Sequence, residues 1–379
     1  MIRTKIHFKN LDALRMFAFL GVFFFHFNLR INPDISGFPR VFNFLKNIFS
    51  YGDLGVNFFF VLSGFLITYL LMSEEELSKK YNVLNFWIRR ILRIWPLYFG
   101  LVIYGFLVYG FLYSQKAHYT ETADIKYYLS FLPNFNLIRN GFPTNPALTV
   151  LWSVGVEEQF YFIWPLLLLS RKLRPYTFPL IIIFSCWFRY MHHDSFFILK
   201  FHSFSVMNDI AVGACLAWIC FERKLEQNSI KFHKAWIVLV YLTGLTYIFF
   251  SPLLLTDALF LALRPFLISL FFCFVLFEQI YLANRLWNFG QIRLFEKWGK
   301  YTYGLYCLHL IGILIAYNLS KFIHCEKNMF WVVSGEILVS LAGSMLLAYL
   351  SYTYFEKPFL NLKRKFSKIE TSGEQESIG

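Results

Sequence analysis

Long apolar stretches recur along the whole chain and constrain its fold more than any other feature. A membrane-spanning helix needs about 20 mostly apolar residues. The composition agrees with such helices, since 57% of the 379 residues are hydrophobic and only 16% are charged. A chain this poor in charge cannot cover a water-facing surface, so we predict an all-α, polytopic integral membrane protein. The ten candidate spans are 11–29, 54–72, 94–113, 150–170, 176–190, 203–221, 235–251, 258–277, 301–320 and 329–355.

The distribution of basic residues predicts how these helices cross the membrane. Lys and Arg collect on the cytoplasmic loops of membrane proteins. With a cytoplasmic N-terminus, 24 of the 36 Lys and Arg residues fall in cytoplasmic segments and ten in outer segments. We therefore expect about ten transmembrane helices with both termini in the cytoplasm. The net charge of +13 is then an orientation signal rather than a sign of nucleic-acid binding.

One membrane domain accounts for most of the chain. We place it at 1–362 and expect the polar segment 363–379 to be a mobile cytoplasmic tail. The first apolar segment contains Asp12 and Arg15 and lacks a small-residue cleavage site, so we expect a permanent helix rather than a signal peptide. The six cysteines show neither a disulfide framework nor zinc-ligand spacing.

The first span carries ionisable residues that are costly inside a bilayer and are therefore functional candidates. Arg15 and His26 are eleven positions apart, which is roughly 16 Å along a helix and about three full turns. Both should project from about the same face and could line one cavity. The alternatives are a hydrogen-bonded structural histidine and an arginine that reaches the cytoplasmic interface. Position alone favours that alternative for Arg15.

A basic amphipathic segment leads into the third span. Arg93 shares a helix face with either Arg89 or Arg90. Guanidinium groups match phosphate geometry, so the cluster is a candidate site for a phosphorylated ligand. The alternative is a helix that rests on anionic lipid, and the segment by itself favours that alternative.

Two adjacent carboxylates, Glu157 and Glu158, lie in the fourth span, where charge is costly unless it is paired or protonated. Neighbours on a helix point about 100° apart, so the two cannot face the same partner. A carboxylate beside His26 could orient the imidazole and raise its basicity. Either glutamate is a candidate for that position.

Polar residues also mark the last two spans. Tyr303, Tyr306 and His309 recur every three residues and are near neighbours on one helix face. Glu356 closes the last span just before Pro358, which should end the helix. We interpret Glu356 as an interfacial ion-pair partner, with the arginine cluster as one source of the cation.

Six segments, taken in order, resemble the acyltransferase-3 family of membrane acyltransferases, which includes O-acetyltransferases of bacterial surface glycans. Each segment is short, but together they extend over nearly the whole chain. Gly155 departs from the pattern, since the family more often has Ser at that position. The segments are LDALR at 11–15 with His26, GDLGVNFFFVLSGFLIT at 52–68, FWIRRILRIWPLY at 86–98, LWSVGVEEQFY at 151–161, YGLYCLH at 303–309 and EKPF at 356–359.

The resemblance implies a ten-helix domain that takes an acyl group from cytoplasmic acyl-CoA and delivers it to an acceptor across the membrane. It implies that Arg15 and His26 form the family's essential motif, with Arg90 and Arg93 as its arginine motif. The glutamate motif falls on Glu157 or Glu158.

On this basis we hypothesise that His26 deprotonates the acceptor hydroxyl or itself carries the acyl group, oriented by Glu157 or Glu158. We expect acetyl-CoA as the donor substrate, with no bound cofactor and no metal. The expected acceptor is an extracytoplasmic or lipid-linked glycan, and the expected location is the bacterial cytoplasmic membrane. The expected donor-binding residues are Arg15, Arg90, Arg93, Tyr303 and His309.

Two other classes of protein remain open at this point. Intramembrane Arg, His and Glu also build proton relays, so a transporter or flippase of an envelope glycan precursor is the main alternative. Such transporters often contain two related halves, and no repeat is evident in the sequence. A structural subunit of a glycan-assembly machine would leave Arg15 and His26 unexplained.

Overall fold

The apolar stretches form long helices that pack side by side. The structure, a computed structural model, describes residues 4–28, 39–113, 120–254, 257–328 and 330–370. The long helices are α1 (Lys9–Asn28), α3 (Leu54–Ser78), α4 (Val83–Ile103), α9 (Leu151–Leu167), α10 (Arg174–Met191), α12 (Ser203–Glu222), α13 (Lys234–Leu254), α14 (Ala258–Tyr281), α16 (Thr302–Phe322) and α17 (Ile337–Leu350).

Shorter elements connect these helices. π-Helical turns extend α4 at Tyr104–Tyr109 and flank α17 at Trp331–Glu336 and Ser351–Glu356. The short helices are α2 (Pro39–Ser50), α5 (Gly110–Tyr113), α6 (Ile125–Leu129), α7 (Pro133–Asn140), α8 (Pro146–Thr149), α11 (Phe196–Phe201), α15 (Arg293–Gly299) and α18 (Lys357–Lys363). 3-10 turns lie at Tyr51–Asp53, Phe289–Gln291 and Arg364–Phe366, and two-residue strands at Thr4–Lys5 (β1) and Ile369–Glu370 (β2).

The predicted all-α, polytopic membrane fold is confirmed. Each of the ten predicted spans coincides with a helix, and eight helices among the described residues are long and apolar enough to cross a membrane. The predicted spans at α9 and α10 are not among those eight. The count of ten and the side of the membrane on which the termini lie therefore stay predictions.

Large apolar side chains cover the outside of the bundle. Leu180 and Ile183 on α10 are each 63% exposed, and Leu242 on α13 is 59% exposed. A water-soluble protein rarely exposes a continuous surface of this kind. Lipid is the environment in which these side chains are stable.

Close helix contacts at glycine hold the centre of the bundle. A Cβ atom at Gly64 of α3 would overlap the carbonyl oxygen of Ile210, and one at Gly213 of α12 would overlap that of Val61. Small residues let helix backbones approach in this way inside membranes. A similar glycine contact joins α1 to the turn before α3, where a Cβ atom at Gly52 would overlap the carbonyl oxygen of Gly21. That contact sets His26, one turn beyond Gly21, beside the start of α3.

The two ends of the described chain lie side by side. Strands β1 and β2 pair in parallel, with Thr4 opposite Ile369. Arg89 of α4 donates from Nη1 to the carbonyl oxygen of Phe366 at 2.8 Å. The first part of the predicted tail is thus folded against the membrane domain, and residues 371–379 lie outside the described residues.

Candidate active site

A deep cleft with a basic lining opens near the paired chain ends. Two adjoining cavities of about 970 and 900 Å³ form it, and both are lined by Arg15, Arg93 and Tyr303. We call this space the basic cleft. Its mouth carries further cations, namely Lys300, Lys357, Lys363 and Arg364.

The arginines of the cleft differ in how they are paired. Arg15 donates from Nη1 to Asp12 Oδ1 at 2.5 Å. Arg93 lines both parts of the cleft and has no hydrogen-bond or ion-pair partner among the described residues. Arg90 lies over the rings of Phe86 and Tyr161, and its buried Nε lacks a hydrogen-bond partner among the residues that the structure describes. Two guanidinium groups are therefore available to an anionic ligand.

Arg89, which precedes these two arginines, has a different role. Its Nη2 forms a buried ion pair with Glu74 Oε2 at 2.7 Å, and its other nitrogen holds Phe366. The arginine segment thus neither rests on lipid as a whole nor faces one ligand. Its residues divide between a structural contact and the cleft.

Lys300, at the mouth, lies beside the start of α16. Partial burial, with the charge of Lys297 as the second cause, lowers the pKa of Lys300. Its Nζ lies 5.0 Å from the centre of the Tyr301 ring. An anionic group bound in the cleft would favour the protonated form of this amine.

The two glutamates of α9 face different partners, as adjacent helix positions should. Glu157 lines the cleft, and its Oε2 accepts from the hydroxyl of Tyr161 at 2.8 Å. The Tyr161 hydroxyl is also 2.5 Å from Ser63 Oγ. Glu158 Oε2 accepts from Trp95 Nε1 at 2.8 Å. Neither carboxylate contacts His26, so the expectation that one of them orients His26 does not match the observed geometry.

Gly155, where the sequence departs from the family pattern, lies at a close contact. A Cβ atom there would lie 2.6 Å from Pro133 Cδ. Gln159, one turn further along α9, donates from Nε2 to the carbonyl oxygen of Phe131 at 2.7 Å. The missing side chain at position 155 therefore lets the segment before α7 pack directly on α9.

Tyr303, Tyr306 and His309 project from one side of α16, and they lie at increasing depth. The Tyr303 hydroxyl donates to the carbonyl oxygen of Ile94 at 2.7 Å. Tyr306 lines the deep end of the cleft, and its hydroxyl is 2.5 Å from Ser153 Oγ. His309 is fully buried and is absent from the cleft lining. It contacts another histidine instead of lining the cleft, and its contact with the donor stays a prediction.

That contact joins His309 to His26. Nδ1 of His309 lies 2.7 Å from the carbonyl oxygen of Tyr306, which assigns the proton to that nitrogen. Nε2 of His309 is then an acceptor, and it lies 3.1 Å from Nδ1 of His26. Nδ1 of His26 is also 3.0 Å from the carbonyl oxygen of Val22 and is therefore the donor. Nε2 of His26 keeps its lone pair and has no hydrogen-bond partner among the described residues.

Glu356 borders the mouth of the cleft with Arg93. Its Oε1 accepts from Ser351 Oγ at 2.8 Å, and it forms no ion pair with a described residue. The predicted ion pair with the arginine cluster is thus absent, although the two groups line the same space.

The structure brings some of the predicted site residues together and separates others. Among the residues that the structure describes, no group of three or more His, Cys, Asp or Glu side chains could hold a metal ion. Sequence reasoning missed Tyr161 and Ser63, which lie within quoted motifs but carry no charge to mark them. The residues in the cleft lining are Arg15, Arg90, Arg93, Glu157 and Tyr303; those outside it are His26, Glu158 and His309.

Comparisons with known proteins identify relatives of this chain. It is 25% identical over 389 aligned positions to YrhL of Bacillus subtilis (strain 168), whose name assigns it provisionally to peptidoglycan O-acetylation; the alignment covers 94% of this chain and 56% of YrhL. It is 31% identical over 177 residues to O-acetyltransferase OatA of Staphylococcus aureus (strain NCTC 8325 / PS 47), which covers 45% of this chain and 26% of OatA. For peptidoglycan O-acetyltransferase OatA of Listeria monocytogenes, the identity is 30% over 176 residues, or 44% of this chain and 25% of that protein.

These alignments cover only part of each relative. The alignment with YrhL covers about half the length of that protein, and the alignment with OatA covers about a quarter of that protein. No solved structure gives a significant match. The profile of the acyltransferase-3 family, described as an acyltransferase domain, matches residues 8–352. Since this match covers nearly the whole chain, the protein belongs to the acyltransferase-3 family.

Proposed function

We propose that this protein transfers an acetyl group from acetyl-CoA to a hydroxyl of a bacterial envelope glycan. The observation that carries the proposal is the histidine pair His26–His309 next to a membrane-embedded basic cleft, with one imidazole nitrogen that no described residue contacts by a hydrogen bond. The family supports acyl transfer, and the names of the relatives support O-acetylation of a glycan. The donor and the acceptor are inferred from the chemistry of the cleft and of the histidines.

The basic cleft suits the CoA part of the donor. CoA carries phosphate groups, and guanidinium groups bind phosphate through paired N–H donors. Arg93 and Arg90 have the unused donors, while Lys300 and Lys357 add positive charge at the mouth. Positive charge at this end also agrees with a cytoplasmic mouth, where acyl-CoA is found. We infer that the thioester points toward Tyr306 at the deep end.

His26 supplies the base. Its Nε2 accepts the proton of the acceptor hydroxyl while the oxygen attacks the thioester carbonyl. The C–S bond breaks as the tetrahedral intermediate collapses, and the imidazolium returns the proton to the CoA sulfur. His309 keeps the proton of His26 on Nδ1 and is a positioning residue in this scheme. A free Nε2 would serve equally if His26 first carried the acyl group.

The glutamates take supporting roles in this proposal. Glu157 holds the Tyr161 hydroxyl at the wall of the cleft and offsets part of the charge of the arginines. Glu158 anchors the indole of Trp95 and so fixes α4 against α9. Both act by positioning other groups and do not touch the reacting atoms.

The test uses membrane vesicles that expose the cytoplasmic face, with acetyl-CoA labelled in the acetyl carbon. Vesicles with the protein should transfer label to envelope glycan and release free CoA, and vesicles without it should do neither. Labelled glycan without CoA release would contradict the scheme. A transporter or flippase would move glycan precursor without consuming acetyl-CoA, and that result would overturn the proposal.

The route of the acyl group is tested by stopping the same reaction with acid after one turnover. Label that stays on the protein, and disappears in His26→Gln, would show an acyl-histidine. Label found only in glycan and in unreacted donor would show direct transfer with His26 as base.

A further inference from the structure

A second cavity, of about 710 Å³, lies at the other end of α3 from the mouth of the basic cleft. The turn before α3 lines it through Asp53, and the first turns of α3 line it through Val56 and Asn57. The basic cleft meets it at Val56 and extends along the same helix to Ile67. Helices α10, α12 and α14 complete its walls. We call this space the polar cavity.

The polar cavity contains a buried carboxylate that forms no ion pair with any residue the structure describes. Asp209 is fully buried and accepts from Asn57 Nδ2 at 2.6 Å, from Asn208 Nδ2 at 2.9 Å and from the hydroxyl of Ser269. All three donors are neutral. Burying a carboxylate without an ion-pair partner is costly, so Asp209 is a candidate for binding a ligand rather than for stabilising the fold.

Arg189 also lines the polar cavity, but it forms no ion pair with Asp209. Arg189 is 8% exposed and donates to backbone carbonyl oxygens, at 2.9 Å for Leu199 and 3.1 Å for Leu261. Within the described part of the chain, its Nε has no hydrogen-bond partner, and the buried Oδ1 of Asn208 has none either. The cavity therefore offers an unused donor and an unused acceptor on buried side chains, beside a carboxylate with lone pairs to spare.

Aromatic side chains complete the lining. Trp152, which is 8% exposed, and Tyr51 both border the polar cavity. The formal charges of the lining nearly balance, because Asp53 forms an ion pair with Lys200 and the remaining charged residues are Asp209, Arg189 and Arg264. Flat apolar rings with a few buried polar groups and little net charge match a neutral, hydroxyl-rich ring better than a phosphate or a cation.

The position of the polar cavity links it to the histidine pair. Val56 and Phe60 line both the polar cavity and the basic cleft, so the two spaces meet at one turn of α3. Asp53 follows Gly52, where a Cβ atom would overlap the carbonyl of Gly21 and lie 3.1 Å from Cβ of Phe25, the residue before His26. A ligand in the polar cavity would thus reach His26 from the side opposite the basic cleft.

We propose that the polar cavity binds a neutral sugar ring of the acceptor, with Asp209 accepting from its hydroxyls and Trp152 packing on its face. This inference rests on the proposed acyl transfer and names the site of its second substrate. The sugar enters from the opposite face of the membrane and places one hydroxyl at Nε2 of His26.

The experiment measures two properties of the full-length protein. The first is retention of the detergent-purified protein on isolated envelope glycan, which requires no chemistry. The second is the dependence of acetyl transfer on the concentrations of acceptor and of acetyl-CoA. The variants are Asp209→Asn, which keeps the shape of the side chain, and Arg264→Gln, at a second charged residue of the lining. The control is Asp194→Asn, at an exposed acid near the same end.

Loss of one charged hydrogen bond should raise the acceptor concentration for half-maximal transfer by about tenfold in Asp209→Asn. The dependence on acetyl-CoA should stay unchanged, retention on glycan should fall, and Asp194→Asn should behave as wild type. Arg264→Gln should shift in the same direction and serves if Asp209→Asn does not fold. Unchanged acceptor dependence in the folded variants, or equal shifts for both substrates, would overturn the assignment.

The two proposals fail in different ways. Suppose that wild-type protein is retained on glycan, Asp209→Asn is not, and wild-type protein transfers no acetyl group. That result would refute the proposed function and leave the sugar site standing. Wild-type protein that transfers acetyl groups, with variants that bind and react normally, would refute the sugar site alone.

Discussion

Two neighbouring regions of the bundle both bury arginines, and they use them differently. At the end of α3, Glu74 and Glu75 pair with Arg89 and Arg174 at 2.7 Å each. One turn beyond Arg89, Arg93 faces the basic cleft with no partner among the described residues. In the first region the arginines form ion pairs that hold helices together. In the second region Arg93 forms no such pair, which leaves its guanidinium able to bind an anionic ligand. Pairing, rather than burial or sequence spacing, distinguishes the arginines that hold helices together from the arginine that we propose binds the donor.

The largest effect should come from breaking a structural pair. Arg174 is almost fully buried, and its guanidinium also donates to the carbonyl oxygen of Leu168. Arg174→Ala leaves the Glu75 carboxylate buried with half of its partners, and it should lower the free energy of unfolding by about 3–5 kcal/mol. Thermal unfolding in detergent measures this loss.

Arg171→Ala is the matched control, because Arg171 pairs with the same carboxylate from a side chain that is 64% exposed. Its effect on unfolding should be much smaller, since water screens an exposed pair. Equal losses for Arg171→Ala and Arg174→Ala would mean that burial does not set the strength of these pairs.

The next effect concerns the histidine pair. His309→Ala removes the acceptor that keeps the proton of His26 on Nδ1, and kcat should fall by about 10–100-fold, as it does when a supporting partner of a functional histidine is lost. The KM for acetyl-CoA should not change. His309→Gln restores an acceptor oxygen and should recover part of kcat, which a purely structural role would not predict. A fall in kcat that His309→Gln fails to relieve would refute the positioning role.

A smaller effect should follow in the cleft. Arg93→Ala should raise the KM for acetyl-CoA by about tenfold, the value of one charged hydrogen bond, and leave unfolding unchanged. Arg93→Lys should be weaker than wild type because an ammonium lacks the paired N–H donors. Arg89→Ala should have the opposite pattern of effects. It should lower the free energy of unfolding, and the protein that stays folded should keep the wild-type KM for acetyl-CoA. An unchanged KM in Arg93→Ala would remove this residue from the donor site.

The smallest effect is that of salt. Charges at the mouth of the cleft act over roughly 10 Å at 0.1 M ionic strength and over about 3 Å at 1 M. The KM for acetyl-CoA should therefore rise several-fold across that range, while acceptor binding in the nearly neutral polar cavity should change little. Salt dependence of both substrates alike would contradict the contrast between the two spaces.

The sequence predicted the membrane fold well because hydropathy is a local property. Each predicted span coincides with a helix, including 176–190, which is α10. The short helices between 120 and 150 were not predicted, since α7 and α8 are set by contacts with α9 and α16 rather than by a local apolar pattern.

The site was only partly predictable. Motif order pointed to His26, Arg90 and Arg93, and the structure places these arginines in one cleft. The partner of His26 was assigned to a glutamate because a carboxylate is the usual orienting group. It is His309, which lies 283 positions away. No periodicity in a single sequence reveals which of several buried polar groups will meet across helices.

The central claim is that His26 performs the chemistry, and one comparison of two variants tests it most directly. His26→Ala and His193→Ala, the latter at a histidine paired with Asp194 outside the cleft, are purified and shown to unfold at the same temperature as wild type. Transfer of labelled acetyl groups to envelope glycan is then measured with both substrates saturating. The account predicts transfer at the level of empty membranes for His26→Ala and at the wild-type level for His193→Ala. Near-normal transfer by folded His26→Ala would contradict it.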